Sequence, residues 1–123
     1  MAYLNDRVYD EGLSVLDLEA NAVHVTSAEA TTYLEATSTY TLGLSSSLSI
    51  AAPSDRTGGG RKVAVSAISD GDITGTGTVT HYALVDTANS RLLATAALTA
   101  SQSVTNGNTF TLATFDIGIP DPA

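Results

Sequence analysis

The sequence contains no cysteine, and its other absences are almost as informative. Without cysteine the chain can form neither disulfides nor thiolate metal sites, so any unusual stability must come from packing or assembly. No apolar run is long enough to cross a bilayer, so a membrane is not an expected partner. The N-terminal segment MAYLNDRVYDEG lacks a basic stretch followed by an apolar one, and no secretory signal is predicted there.

Positive charge is also scarce in this chain. Five Lys and Arg residues stand against 13 Asp and Glu residues, which gives a net charge of −8. Nucleic acid is therefore not an expected partner, because binding to phosphates depends on clustered cations. With 43% hydrophobic and only 15% charged residues, the 123-residue composition predicts one folded domain with a real core rather than a disordered chain.

The second half of the sequence alternates in the manner of a β-sheet protein. Between Val79 and Val85, odd-numbered residues fall on one face of a strand and even-numbered residues on the other. The turn-like residues 87–90 separate this strand from a second one at Leu92–Leu98. The two strands are therefore predicted to pair as an antiparallel hairpin.

Further strands and turns are expected along the rest of the chain. The strands are predicted at Ala22–Thr26, Tyr40–Ile50, Lys62–Ser69, Thr109–Leu112 and Phe115–Ile119, and the turns at Asp70–Asp72 and Asn106–Gly107. Residues 27–36 are expected to form one or two helical turns with Ser27 as the cap. These elements predict an all-β fold: a single antiparallel β-sandwich, jelly-roll or immunoglobulin-like, at residues 22–123, preceded by an irregular N-terminal arm at residues 1–21.

His24 and His81 are the only histidines, and each lies within a predicted strand. A metal ligand or a general base would need partner groups at suitable spacing, and the sequence offers none. Hydrogen-bonded, partly buried histidines are therefore the favoured interpretation. No metal site, no catalytic residue and no cofactor is predicted.

Two loops resemble known ligand loops without matching them. Asp70-Gly71-Asp72 begins like a calcium loop, but His81 occupies the twelfth position, where a bidentate acid is required. The segment Gly58–Lys62 is glycine-rich and basic, but a strand rather than a helix is expected to follow it, unlike in a phosphate loop.

Docking residues are expected in two places. Arg56, Arg61 and Lys62 are three of the five cations and surround the glycine loop, where they would meet an acidic neighbour or a second copy of this chain. Tyr3 and Tyr9 lie in the acidic N-terminal segment, and tyrosine is enriched at protein–protein interfaces. The alternatives are a solvated hairpin tip and tyrosines packed on their own domain.

Residues 75–119 resemble the C-terminal half of small virion proteins of tailed bacteriophages. In that group a Thr-His…Asp strand, a turn, a Leu-Leu…Leu-Thr strand and a Val…Gly…Thr-Phe hairpin follow one another. The matching residues here are Thr80, His81, Asp86, Leu92, Leu93, Leu98, Thr99, Val104, Gly107, Thr109 and Phe110. The resemblance implies a structural protein of strands and turns, with no active site to carry over.

The expected function is therefore a non-enzymatic component of a tailed-phage virion. A capsid decoration or cement protein, bound to the shell in many copies, is expected first. Its partners would be the major capsid protein or tail proteins and further copies of itself. The alternatives are a tail, fibre-anchoring or tail-tip protein and, in a different class, a carbohydrate-binding module of cell surfaces using Tyr82 and Asp86.

Overall fold

The computed structural model describes the backbone of residues 6–120 and the side chains of residues 11–98 and 100–120. The chain separates into two compact units. The segments Met1–Glu19, Ser49–Ala67 and Ala113–Ala123 form the small unit, and Ala20–Leu48 with Ile68–Leu112 form the large unit. Each unit is therefore assembled from segments that are distant in sequence.

The large unit is built around one antiparallel sheet. Its strands are β1 (Ala22–Thr26), β2 (Thr41–Ser45), β5 (Ile68–Ile73), β6 (Gly77–Asp86), β7 (Arg91–Val104) and β8 (Thr109–Leu112). They lie in the order β7-β6-β1-β2-β5-β8, so β7 and β8 form the two edges. The central strand β1 is buried along its whole length, because it has β6 on one side and β2 on the other.

One face of this sheet is covered by the segment between β1 and β2. Ala30 and Ala36 of that segment are buried with Ala22, Ala83 and Val85 of the sheet. The partly buried side chains that pack against this cluster are Tyr33, Tyr40 and Leu92. A short π-helix, Glu35–Thr39, lies within the covering segment.

The covering segment has a helix start that the sequence prediction placed wrongly at Ser27. The Glu35 backbone N–H donates to Thr32 Oγ1 at 3.1 Å, and the Glu35 carboxylate accepts from the Thr31 backbone N–H at 2.9 Å and hydroxyl at 2.7 Å. This arrangement differs from a capping box in that the carboxylate accepts from Thr31, the residue before the capping Thr32. Ser27 instead donates its backbone N–H to the Tyr40 carbonyl at 3.0 Å, where the segment returns to the sheet.

The small unit consists of one helix and a three-stranded antiparallel sheet. The helix is α1 (Asp6–Glu19), and the strands β3 (Ser54–Asp55), β4 (Arg61–Val65) and β9 (Phe115–Ile119) lie in the order β3-β4-β9. The helix packs against β4. Leu13 and Leu16 of α1 and Val63 and Val65 of β4 are buried and supply the core of this unit.

The predicted antiparallel all-β fold is confirmed, and the presence of two sheets is consistent with a sandwich. The β6–β7 hairpin has the predicted pairing, and β1, β8 and β9 have the predicted bounds. The prediction of an irregular N-terminal arm is wrong, because residues 6–19 are helical. The division into an arm at 1–21 and a domain at 22–123 stays a prediction.

One of the two turn predictions is wrong, and the other is confirmed. Asp70–Asp72 is not a turn but the middle of β5, and the predicted strand Lys62–Ser69 is divided between β4 and β5. Asn106–Gly107 does form a turn, with Gly107 at φ 92°, but it closes no hairpin. β8 pairs with β5, at the opposite edge of the sheet from β7.

Gly71 explains why the Asp-Gly-Asp segment stays extended. It lies directly across from Phe110 of β8, whose ring covers the glycine backbone. A Cβ at position 71 would collide with that ring, so glycine is required there by close approach and not by a turn. Phe110 is 5% exposed and therefore belongs to the core of the large unit.

Candidate interaction surface

The glycine loop between β3 and β4 is a turn closed by backbone hydrogen bonds. Gly58, Gly59 and Gly60 have φ values of 91°, 105° and 90°, a region that side chains other than glycine rarely enter. Arg56 donates its backbone N–H to the Gly60 carbonyl, and Gly59 donates to the Arg56 carbonyl, both at 3.1 Å. The three predicted cations are thereby held around one hairpin.

Two of these cations are paired with carboxylates of the same unit. Arg61 Nη1 donates to Asp55 Oδ1 at 2.7 Å, and another of its nitrogens lies 3.4 Å from the Pro53 carbonyl. Lys62 Nζ donates to Asp116 Oδ2 at 3.0 Å, which links β4 to β9. The Arg61 side chain is only 17% exposed, so its main role is to stabilise the hairpin.

Arg56 is placed differently from its two neighbours. Its Nη1 donates to the Gly59 carbonyl at 3.0 Å, and its side chain lies across Gly118 of β9. A cleft of about 380 Å³ opens beside it, lined by Arg56, Thr57, Lys62, Asp116 and Gly118. Among the described residues, Asp55 and Asp116 balance two of the three cations, which leaves one positive charge at the hairpin. A single positive charge suits one carboxylate of a partner better than a strongly acidic surface.

Exposed apolar side chains of the small unit lie on α1 and β9. Leu18 is 81% exposed, and Val15, one helical turn earlier, is 37% exposed. Ile119 of β9 is also 37% exposed and approaches α1 near Gly12. We call Val15 and Leu18, which are one turn apart on α1, the apolar patch. The sequence prediction missed it, because it treated this segment as a strand or an irregular arm.

The predicted interface residues are only partly placed by the structure. Arg56, Arg61 and Lys62 do lie together, although their role in an interface stays a prediction. Tyr3 lies outside the described residues, and the side chain of Tyr9 lies outside them too.

The histidines have the predicted structural environment. His24 is 6% exposed, and its Nδ1 lies 2.8 Å from Thr41 Oγ1. His81 is partly buried, with Nδ1 2.8 Å from Thr80 Oγ1. Burial lowers the pKa of His24, because the charged imidazolium loses its hydration. In the part of the chain that the structure describes, no three His, Asp or Glu side chains come together as metal ligands would.

The Asp86 carboxylate accepts hydrogen bonds within the turn that follows β6. It accepts from Asn89 Nδ2 at 2.8 Å and from the Ala88 backbone N–H at 3.0 Å. The Asn89 side-chain hydrogen bond is the main reason that the Asp86 pKa lies below its usual value. Since Asp86 is buried and Tyr82 is partly buried, these two residues do not form the exposed aromatic and acidic platform that a carbohydrate site needs.

No family model, curated protein or solved structure matches this chain. Within residues 6–120, no helix has the length and apolar character to span a membrane. The described buried side-chain nitrogen and oxygen atoms all have hydrogen-bond partners. The groups that remain for contact with another molecule are those at the surface, above all the apolar patch and the cleft beside Arg56.

Proposed function

We propose that this protein is a non-enzymatic structural component of a tailed-phage virion, and specifically a decoration protein bound in many copies to the capsid shell. The virion assignment rests on the resemblance of residues 75–119 to small phage virion proteins. The observation that supports docking to another protein is the apolar patch, which includes a helical leucine that is 81% exposed. Its proposed partner is the major capsid protein.

The patch has the composition of an interface centre. Burying an exposed leucine against a partner contributes about 1.5–3 kcal/mol, which exceeds what a surface ion pair usually gives. Glu11 and Glu19 lie one helical turn before and after Val15 and would orient the helix on a more basic surface without supplying most of the affinity. Tyr3 and Tyr9 are proposed as additional aromatic anchors of the same contact.

The location in the virion is tested with particles that lack this protein. Cryo-electron microscopy of particles with and without the reading frame would be compared in the head and in the tail. We expect density to be lost at repeated positions on the outer shell. Loss confined to the tail would replace this proposal with the tail protein alternative, and intact particles that never contained the protein would overturn both.

The patch is tested with two leucine variants of similar exposure. Leu18→Ser should weaken binding of the purified protein to undecorated shells about tenfold or more, because 1.4 kcal/mol corresponds to tenfold in affinity. Leu34→Ser is the matched control, since Leu34 is 66% exposed but belongs to the large unit. Equal binding by both variants and the parent would show that the patch is not the docking surface.

A further inference from the structure

The four edge strands of the two sheets are protected from other chains to very different degrees. A free edge exposes unpaired backbone N–H and C=O groups, and proteins usually shorten it or place charges and prolines there. β3 has two residues and carries Asp55, β9 carries Asp116 and ends before Pro120, and β8 has four residues. β7 has 14 residues.

β7 also lies in the least charged part of the chain. No Asp, Glu, Lys or Arg occurs between Arg91 and Asp116, although the whole chain carries a net charge of −8. No proline occurs in that stretch either. Beyond Arg91, its first residue, the longest edge of the large unit therefore has neither of the residue types that commonly prevent edge-to-edge pairing.

From Leu92 onward, the outer edge of β7 is free within the described part of the chain. β7 pairs with β6, and no other described strand pairs with it. Beyond a bulge at Leu93, a second bulge at residues 98–101, opposite Thr80, separates two regular stretches, at 94–97 and 102–104. Ala96 and Ala97 and residues 100–103 are exposed, and they are small or uncharged, so another backbone can approach closely.

We propose that a second copy of this chain occupies this edge, with β7 pairing antiparallel to β7 across a twofold axis. Any strand is self-complementary in that arrangement, because each residue meets its counterpart reciprocally. Two copies that each carry a charge of −8 repel one another over most of their surfaces, and the uncharged edge is where they meet without opposed charges. The pairing joins two six-stranded sheets into one. It does not depend on the proposed role in a virion.

The pairing is tested by sedimentation equilibrium on the purified full-length chain. We expect a dimer for the parent, and a dissociation constant at least tenfold higher for the double variant Ala96→Lys/Gln102→Lys, which places a charge on each regular stretch. The control Ser69→Lys/Thr111→Lys has the same charge and changes exposed residues of β5 and β8. It should dimerise like the parent, and circular dichroism should show all three chains equally folded.

Two further measurements distinguish pairing through β7 from dimerisation through another surface. Amide exchange should slow in β7 on dimerisation of the parent, and not in β8. Raising ionic strength past about 0.1 M should strengthen the dimer, because salt screens the repulsion between two acidic chains. A monomeric parent, a control that dissociates like the edge variant, or a dimer that salt weakens would each overturn the pairing.

Discussion

At the scale of single residues, buried polar groups are matched by local hydrogen bonds. Thr41 Oγ1 donates to the Gly43 carbonyl at 3.1 Å, and the same oxygen lies 2.8 Å from His24 Nδ1. A hydroxyl has one proton to donate, so the network assigns the imidazole proton to Nδ1 and the acceptor role to Thr41. Nδ1 of His24 thus has a partner, and protonation at Nε2 would place a charge inside the sheet.

This environment predicts a specific pH dependence of stability. Because burial lowers the pKa of His24 in the folded state, the unfolded chain binds a proton first as the pH falls below about 6.5. The free energy of unfolding should decrease from there down to the folded-state pKa, by up to about 1.4 kcal/mol per pH unit. Hydrogen bonds from Asn89 and Thr31 are the main reason that the pKa values of Asp86 and Glu35 are lowered. The stability that these two carboxylates contribute is lost only at lower pH, in the range where carboxylates titrate.

Urea unfolding at pH 7.5 and pH 5.5 measures the effect. His24→Gln keeps a donor for Thr41 and should abolish most of the difference between the two pH values. His81→Gln leaves His24 in place and should retain it. A parent protein that is equally stable at both pH values would contradict the prediction.

At the scale of elements, β8 is held at its edge by one aromatic contact. It has four residues, pairs with β5 on one side, and contributes the buried Phe110, whose ring lies over Gly71. Phe110→Ala should therefore lower the free energy of unfolding by about 3–5 kcal/mol, the range for removing a buried ring. Thr111→Ala, at an exposed position of the same strand, should change it by less than about 0.5 kcal/mol. If the two variants lowered the free energy of unfolding equally in chemical denaturation, the Phe110 ring would not be part of the core.

Elements with a clear local pattern could be predicted from the sequence, and elements that depend on distant partners could not. The alternation in β6 and the four-residue turn after it defined the hairpin without any tertiary information. β5 was predicted wrongly because its extended form depends on Phe110, about 40 residues later in the chain. The helix α1 was missed, although Leu13 and Leu16 have helical spacing, because the neighbouring Val15 and Leu18 also suit a strand.

The candidate site shows the same division. That Arg56, Arg61 and Lys62 lie near one another followed from their closeness in sequence. Their charge balance did not, since Asp116 reaches Lys62 only through the pairing of β4 with β9. Likewise, the apolar patch depends on which side of α1 faces β4, and no local pattern settles that.

At the scale of the whole molecule, the interleaving of the two units determines how the chain should respond to truncation. The small unit depends on Leu13 and Leu16 of α1 to bury Val63 and Val65, whereas the large unit comprises Ala20–Leu48 and Ile68–Leu112. Deleting Met1–Asp10 should keep both units folded, because both leucines remain, and should weaken binding to shells. Deleting Met1–Glu19 should also remove amide protection from β4 and β9, while β1 and β6 stay protected, because local stability follows buried apolar contacts. Hydrogen exchange read strand by strand measures this, and loss of protection in β6 together with β4 would show that the two units unfold as one.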